Sequence, residues 1–144
     1  MRFTIVLLFL VANSALSQKR VVDYIQYRFV DASVPPQYHR SFTITATPKS
    51  WQYTVDSYGE IISDSTMEMT QKWWLEILEA QKKSKLRKGK EKDKRSCTGG
   101  TQVLIRIKSG DIFLKALNEY RCGGKNTGNL RGNPDLLKRA LLKK

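Results

Sequence analysis

Thr101-Gln102-Val103-Leu104-Ile105-Arg106-Ile107-Lys108-Ser109-Gly110-Asp111-Ile112-Phe113-Leu114-Lys115-Ala116-Leu117, flanked by Cys97 and Cys122, is the stretch whose reading decides the fold. Val103, Ile105 and Ile107 recur at every second position, the period of a half-buried strand. A two-residue turn at Ser109-Gly110 opposes residues whose numbers sum to 219, which sets Ala116, Leu114 and Ile112 against them. The numbers of the two cysteines also sum to 219. They are therefore expected to face each other in a non-hydrogen-bonded pair with Cα atoms about 4.5 Å apart. A disulfide accepts roughly 4.4–6.8 Å, so a Cys97–Cys122 bond is expected. Two alternatives stay open: Ile112–Tyr120 also suits a helix, and Gly99-Gly100 is placed to add a bulge.

Working outward, Ser41 to Ser63 predicts a three-stranded meander. Pro48 in Thr47-Pro48-Lys49-Ser50 stands where a type I turn prefers it. Pairing across that turn opposes Ala46 with Trp51, Ile44 with Tyr53 and Phe42 with Val55, all on one face. A second turn at Tyr58-Gly59 sets Val55 opposite Ile62. Val21–Val30 predicts a further strand with Val21, Ile25, Tyr27 and Phe29 on one side. Thr66 to Lys83 carries Met69, Trp73, Ile77 and Ala80 at helical spacing, with Ser65 as cap. Asn133-Pro134 is a cap followed by a first-turn proline, so a second helix is expected from Pro134 to Leu142. The expected fold is α+β: an antiparallel sheet of four to five strands with two helices on one face, in ββαββα-like order, with one disulfide.

Met1 to Ser17 reads as a secretory signal peptide, with Arg2, an apolar Thr4–Ala12 and small residues at Ala15-Leu16-Ser17. That apolar run is too short to span a membrane, which takes about 20 residues. The expected organisation is a leader at 1–17, an N-terminal extension or strand at 18–40, and one domain at 41–144 with a basic loop at 82–96. The expected location is secreted or periplasmic, where a cysteine pair is more often a disulfide than a metal site.

The formal net charge is +13. Lys82, Lys83, Lys85, Arg87, Lys88, Lys90, Lys92, Lys94 and Arg95 stand against Glu91 and Asp93, so much of the excess lies in one stretch. Such a run attracts polyanions, whether glycan, nucleic acid or an anionic surface. It carries no interleaved aromatic to stack single-stranded bases, and as a plain solvated loop it needs no ligand. Trp73 and Trp74 lie about 100° apart on a helix, so one of them, taken as Trp74, is a candidate exposed binding anchor. The Gly/Asn loop from Gly123 to Asn133, with Asn126, Asn129 and Arg131, is a candidate recognition loop.

Catalytic signatures are absent from the sequence. His39 is the single histidine, no Gly-x-Ser-x-Gly occurs, and Asp56, Glu60, Asp64 and Asp111 fall at turns, where acids cap backbone donors. No metal-ligand cluster, phosphate loop or cofactor motif is found. The order strand, strand, helix, basic loop, strand, strand, helix over Ser41–Leu142 resembles emfourin-type proteins, small bacterial inhibitors of thermolysin-like proteases. Val34–Ser41, Cys97–Gly100 and Cys122–Gly124 also resemble small exported bacterial proteins. The resemblance implies a non-enzymatic domain that binds a protein partner as a peptidase inhibitor. A polyanion-binding exported protein is the alternative, and a small hydrolase is third.

Overall fold

The computed structural model describes residues 20–92 and 99–143. The leader expected at 1–17, together with Lys94, Arg95 and Cys97, lies outside them. The chain runs β1 (Tyr24–Val30), β2 (Ser41–Ala46), β3 (Ser50–Ser57), β4 (Glu60–Glu68), α1 (Gln71–Lys83), β5 (Arg87–Lys92), β6 (Thr101–Ser109), β7 (Ile112–Cys122), β8 (Lys125–Arg131) and α2 (Pro134–Leu142). The eight strands form one sheet in the order β4-β3-β2-β1-β6-β7-β8-β5. Every neighbouring pair is antiparallel. The expected four to five strands in ββαββα order are thus corrected to eight strands in ββββαββββα order.

Three rows of side chains cross the sheet in register and explain its cohesion. The first is Met67, Trp51, Ala46, Ile25, Ile107. The second is Tyr53, Ile44, Tyr27, Ile105, Leu117. The third is Val55, Phe42, Phe29, Val103, Glu119. Because side chains alternate across a strand, one in-register face is apolar from β3 to β6. Strand β1 lies inside all three rows and fourth of the eight strands, so the expected N-terminal extension supplies the centre of the sheet.

Both helices cover that face. Helix α1 buries Trp74 and Ile77, and α2 buries Leu137 and Leu141. Each such side chain stabilises the fold by roughly 1.5–3 kcal/mol on removal from water. Two indoles pin the end of α2: Trp51 Nε1 donates to the Leu141 carbonyl at 2.8 Å and Trp73 Nε1 to the Ala140 carbonyl at 3.0 Å. These bonds occupy carbonyls that a helix terminus otherwise leaves unpaired. Asn133 caps α2 as expected, its side chain accepting from Leu136 N–H.

Helix α1 begins later than its apolar spacing suggests. Thr66, Met67 and Glu68 stay in β4, paired with Gln52, Trp51 and Ser50, and the cap is Thr70 instead of Ser65. Docking Met67 beside Trp51 extends the first row, which outweighs one more helical turn on an exposed segment. The β2–β3 register matches expectation at all three apolar pairs. Across the next turn, Val55 faces Ser63 instead of Ile62, because the ladder shifts between Val55 and Asp56. One extra residue in β4 produces that shift.

The hairpin of β6 and β7 corrects the opening expectation. Its turn is Gly110-Asp111, with Ser109 opposite Ile112. Gly110 has φ +56 and Asp111 no positive φ, the pattern of a type II′ turn. A second shift between Ile107 and Lys108 places Val103, Ile105 and Ile107 opposite Glu119, Leu117 and Lys115. Opposed residues in this register sum to 222 from Ile107 opposite Lys115 to Thr101 opposite Arg121, so the expected sum of 219 does not hold along the ladder. Among the described residues no cysteine is free. Cys97 lies outside them, and with it the bond expected between the two.

The expected Gly/Asn loop is a strand. Gly123 and Gly124, with φ +53 and +75, form a two-residue turn of the I′ kind between Cys122 and Lys125. Regular pairing of β7 with β8 spans Tyr120 opposite Thr127 to that turn. Beyond it two asparagines bridge the strands: Asn118 N–H donates to Asn129 Oδ1 at 2.9 Å, and Asn129 N–H to Asn118 Oδ1 at 3.1 Å. Between them Gly128 has φ +98, and a Cβ there would lie 2.5 Å from the Asn118 carbonyl oxygen. Gly128→Ala is expected to cost roughly 1–3 kcal/mol, from the backbone conformation together with that clash. Urea denaturation checks it, and an unchanged midpoint would contradict this bridge.

Tyr27 ties stability to alkaline pH. Burial chiefly raises its pKa from 10.0 to about 12, Asp135 and Glu119 add to the rise, and Arg121 opposes it. Arg121 itself donates through Nε to Glu119 at the end of the third row. A group whose pKa is higher in the folded state stabilises that state below its unfolded pKa. The contribution, about 2–3 kcal/mol, is lost as pH rises from about 10 to about 12. Tyr27→Phe is expected to flatten that loss, as read from urea midpoints between pH 8 and 12. An equally steep decline in the variant would assign it to other groups.

Candidate functional site

The Lys/Arg-rich segment, expected to be a basic loop at 82–96, is as far as Lys92 a strand at the edge of the sheet. Helix α1 ends at Ser84, whose N–H reaches the Ala80 carbonyl, and Lys85 takes φ +50, turning the chain into β5. Leu86 drops into the core at 2 % exposure, and its carbonyl accepts from Lys115 Nζ at 2.6 Å. The Ser84 carbonyl accepts from Asn133 N–H at 2.8 Å, tying this corner to the start of α2. Strand β5 then pairs with β8 at Arg87 opposite Arg131, Lys88 opposite Leu130 and Lys92 opposite Gly128.

Arg131 clamps the irregular part of that pairing. Its guanidinium donates to the carbonyls of Lys90 at 2.6 Å, Leu130 at 2.7 Å and Gly128 at 3.1 Å. The side chain crosses Gly89, where a Cβ would lie 2.7 Å from Arg131 Cγ. Gly89 therefore admits the clamp instead of breaking the segment, and Arg131 holds the strand in place. Asn129 is likewise committed to Asn118. Asn126 is exposed opposite Arg121, close to the hairpin tip.

Lys82, Lys83, Lys85, Arg87, Lys88 and Lys90 are all exposed along this edge. Among the described residues Lys83 pairs with Glu79 at 3.4 Å, whereas Lys82, Lys85, Arg87, Lys88 and Lys90 take part in no ion pair. An extended strand spaces alternate residues about 7 Å apart, so the cations form a row instead of a cluster. Of the other sequence candidates, Lys94 and Arg95 fall outside the described residues. Trp74 lies in the core at 7 % exposure, with Leu75 beside it exposed. The anchor expected at Trp74 is therefore replaced by a packing role.

His39 is buried at 3 % exposure in the crossover from β1 to β2. Tyr58 N–H donates to its Nδ1 at 3.3 Å, which directs the neutral ring's proton to Nε2. Nε2 stands 3.4 Å from Ser41 Oγ, which also accepts from Asp31 N–H at 3.0 Å. A protonated Nε2 donates to Ser41 and cannot take its proton, so this pair lacks the base–nucleophile polarity of acyl transfer. Tyr58 stacks on the imidazole with ring centroids 3.9 Å apart, and its hydroxyl donates to the Val34 carbonyl at 2.6 Å. The cluster fastens the crossover to the β3–β4 turn.

The acids are similarly occupied. Asp56 is bridged by Arg28 at 3.2 Å and accepts from Gly59 N–H at 3.1 Å. Thr54 first, then Gln52, hold the Asp64 carboxyl below the usual carboxylate range. Among the described residues, no group of three or more histidines, cysteines and acids is placed to hold a metal. No described helix is long and apolar enough to cross a membrane. No family model, curated protein or solved structure matches the chain.

Proposed function

We propose that this chain is an exported, non-enzymatic binding domain that engages an anionic polysaccharide through the basic edge running from the end of α1 along β5. The observation that carries this reading is the row of exposed cations that, among the described residues, take part in no ion pair, held on a strand that Leu86 and Arg131 fix from behind. An ordered row binds an extended anion at lower conformational cost than a loose loop, because its backbone is already fixed. Each anionic group it neutralises releases counterions, which supplies affinity without base- or sugar-specific contacts. Lysine predominates and stacking aromatics are missing from β5, which favours a sulfated or carboxylated glycan over single-stranded nucleic acid. The signal-peptide reading of residues 1–17 agrees with a glycan met outside the cytoplasm. The peptidase-inhibitor reading rested on a ββαββα order and loses that support.

The test is binding of the purified protein to a sulfated polysaccharide, a single-stranded oligonucleotide of matched charge and anionic lipid vesicles, each across a salt series. The expected result is tightest binding to the polysaccharide, with affinity falling steeply as salt rises. Equal or tighter binding to the oligonucleotide or the vesicles would transfer the edge to that class of anion. Binding to none of the three would reject the reading.

A further inference from the structure

The two ends of the sheet carry opposite charge. Strand β4, one terminal strand, bears Glu60, Asp64 and Glu68 and no cation. Strand β5, the other terminal strand, bears Arg87, Lys88, Lys90 and Lys92 against Glu91. An unpaired edge exposes a row of backbone donors and acceptors ready to pair with another strand. We infer that β4 of one copy adds to β5 of the next, so that the protein assembles head to tail through its sheet edges. The inference goes beyond glycan binding and does not depend on it.

Three observations support this partner. Like edges repel, since β4 against β4 opposes acids and β5 against β5 opposes cations, whereas β4 against β5 matches them. The strand count also fits. In an antiparallel sheet of eight strands the first and last run in opposite directions. A second copy in the same orientation therefore presents β4 antiparallel to β5, continuing the hydrogen-bond pattern and keeping all helices on one side. Finally, the β4 edge offers apolar surface: Ile61 is 66 % exposed and Ile62 48 %. The contact is heterologous, joining two different patches, so it propagates instead of closing as a two-fold dimer.

Sedimentation velocity of the purified protein at low salt over a range of concentrations tests this. The expected result is a growing series of oligomers that dissociates at high salt. Glu60→Lys with Glu68→Lys in one protein, and Lys88→Glu with Lys90→Glu in another, are each expected to weaken association roughly 10–100-fold. Mixing the two restores unlike edges at every junction and is expected to restore the series. A wild-type protein that stays monomeric throughout, a dimer that grows no further, or a mixture that fails to reassociate would overturn the inference. The β4 variant leaves every β5 cation in place and frees β5 from a neighbouring β4, so it is expected to bind sulfated polysaccharide at least as tightly as the wild type. Failure of assembly and failure of glycan binding are therefore read separately.

Discussion

Replacing Arg87, Lys88 and Lys90 together by glutamine is expected to lower affinity for a sulfated polysaccharide on the order of 10²-fold at low salt. The slope of log affinity against log salt is expected to flatten by about 2–3, because each lost cation removes one counterion-release event. Thermal stability is expected to change little, since these side chains are exposed and, among the described residues, in no ion pair. Isothermal titration of wild type and variant at several salt concentrations measures both quantities. Arg131 gives an instructive contrast. Arg131→Gln removes the donors that hold the Lys90, Leu130 and Gly128 carbonyls. It is therefore expected to lower protection of the β5 amides from hydrogen exchange as well as affinity. A triple variant that binds with wild-type affinity would remove β5 from the site.

The largest expected loss of stability follows Trp51→Ala. The indole is 2 % exposed, lies in the first cross-sheet row, stacks on Tyr53 at 6.0 Å and meets Trp73 at 5.8 Å. Its truncation is expected to cost about 3–5 kcal/mol, the range for large aromatic side chains in cores. It also strips the Leu141 carbonyl of its donor at the end of α2. Trp51→Phe separates these contributions, keeping most of the packing while removing the hydrogen bond, and is expected to cost about 1–3 kcal/mol. Urea unfolding followed by helix and aromatic signals checks both variants. A cost below about 1 kcal/mol for Trp51→Ala would mean that the two layers are not joined through this residue.

How far the fold is legible depends on where each strand sits. In β1, β2, β3 and β6 one face is buried under helices, so period-two alternation is written into Ile25, Tyr27, Phe42, Ile44, Val103 and Ile105. The β2–β3 register followed directly from it. Strands β5 and β8 lie at one side of the sheet, where single residues such as Leu86 and Leu130 suffice to dock the chain. Few of their other positions carry apolar side chains, so their composition looks like a charged loop and a glycine-rich loop. One signal was available in β8: paired asparagines eleven positions apart, Asn118 and Asn129, flank the glycine that needs space.

The cysteine symmetry misled for a different reason. Numerical mirror pairing assumes a turn at Ser109-Gly110 and an unbroken ladder. The turn instead lies one residue later, and the shift between Ile107 and Lys108 then moves every further pair by one more. Gly99-Gly100 had suggested a bulge near the cysteines, whereas the observed one lies next to the turn. Lys85, Arg87, Lys88, Lys90 and Lys92 stand out as a group from charge alone, and all but Lys85 lie on β5. Their strand geometry was not legible, because it comes from Arg131 and Gly89 meeting across forty-odd residues of chain. Trp74 shows the converse: two adjacent tryptophans both find apolar surroundings, since two helices and an indole pair make a wide covered face.

The most direct measurement is the set of backbone amide shifts of the protein on adding a short sulfated oligosaccharide at low salt. Shifts concentrated from Lys82 to Lys92, at amides already protected from exchange as in a strand, and fading with added salt, are the expected result. Shifts centred instead on α1 and α2, or on the Gly123-Gly124 turn, would contradict it, as would unprotected amides throughout Arg87–Lys92.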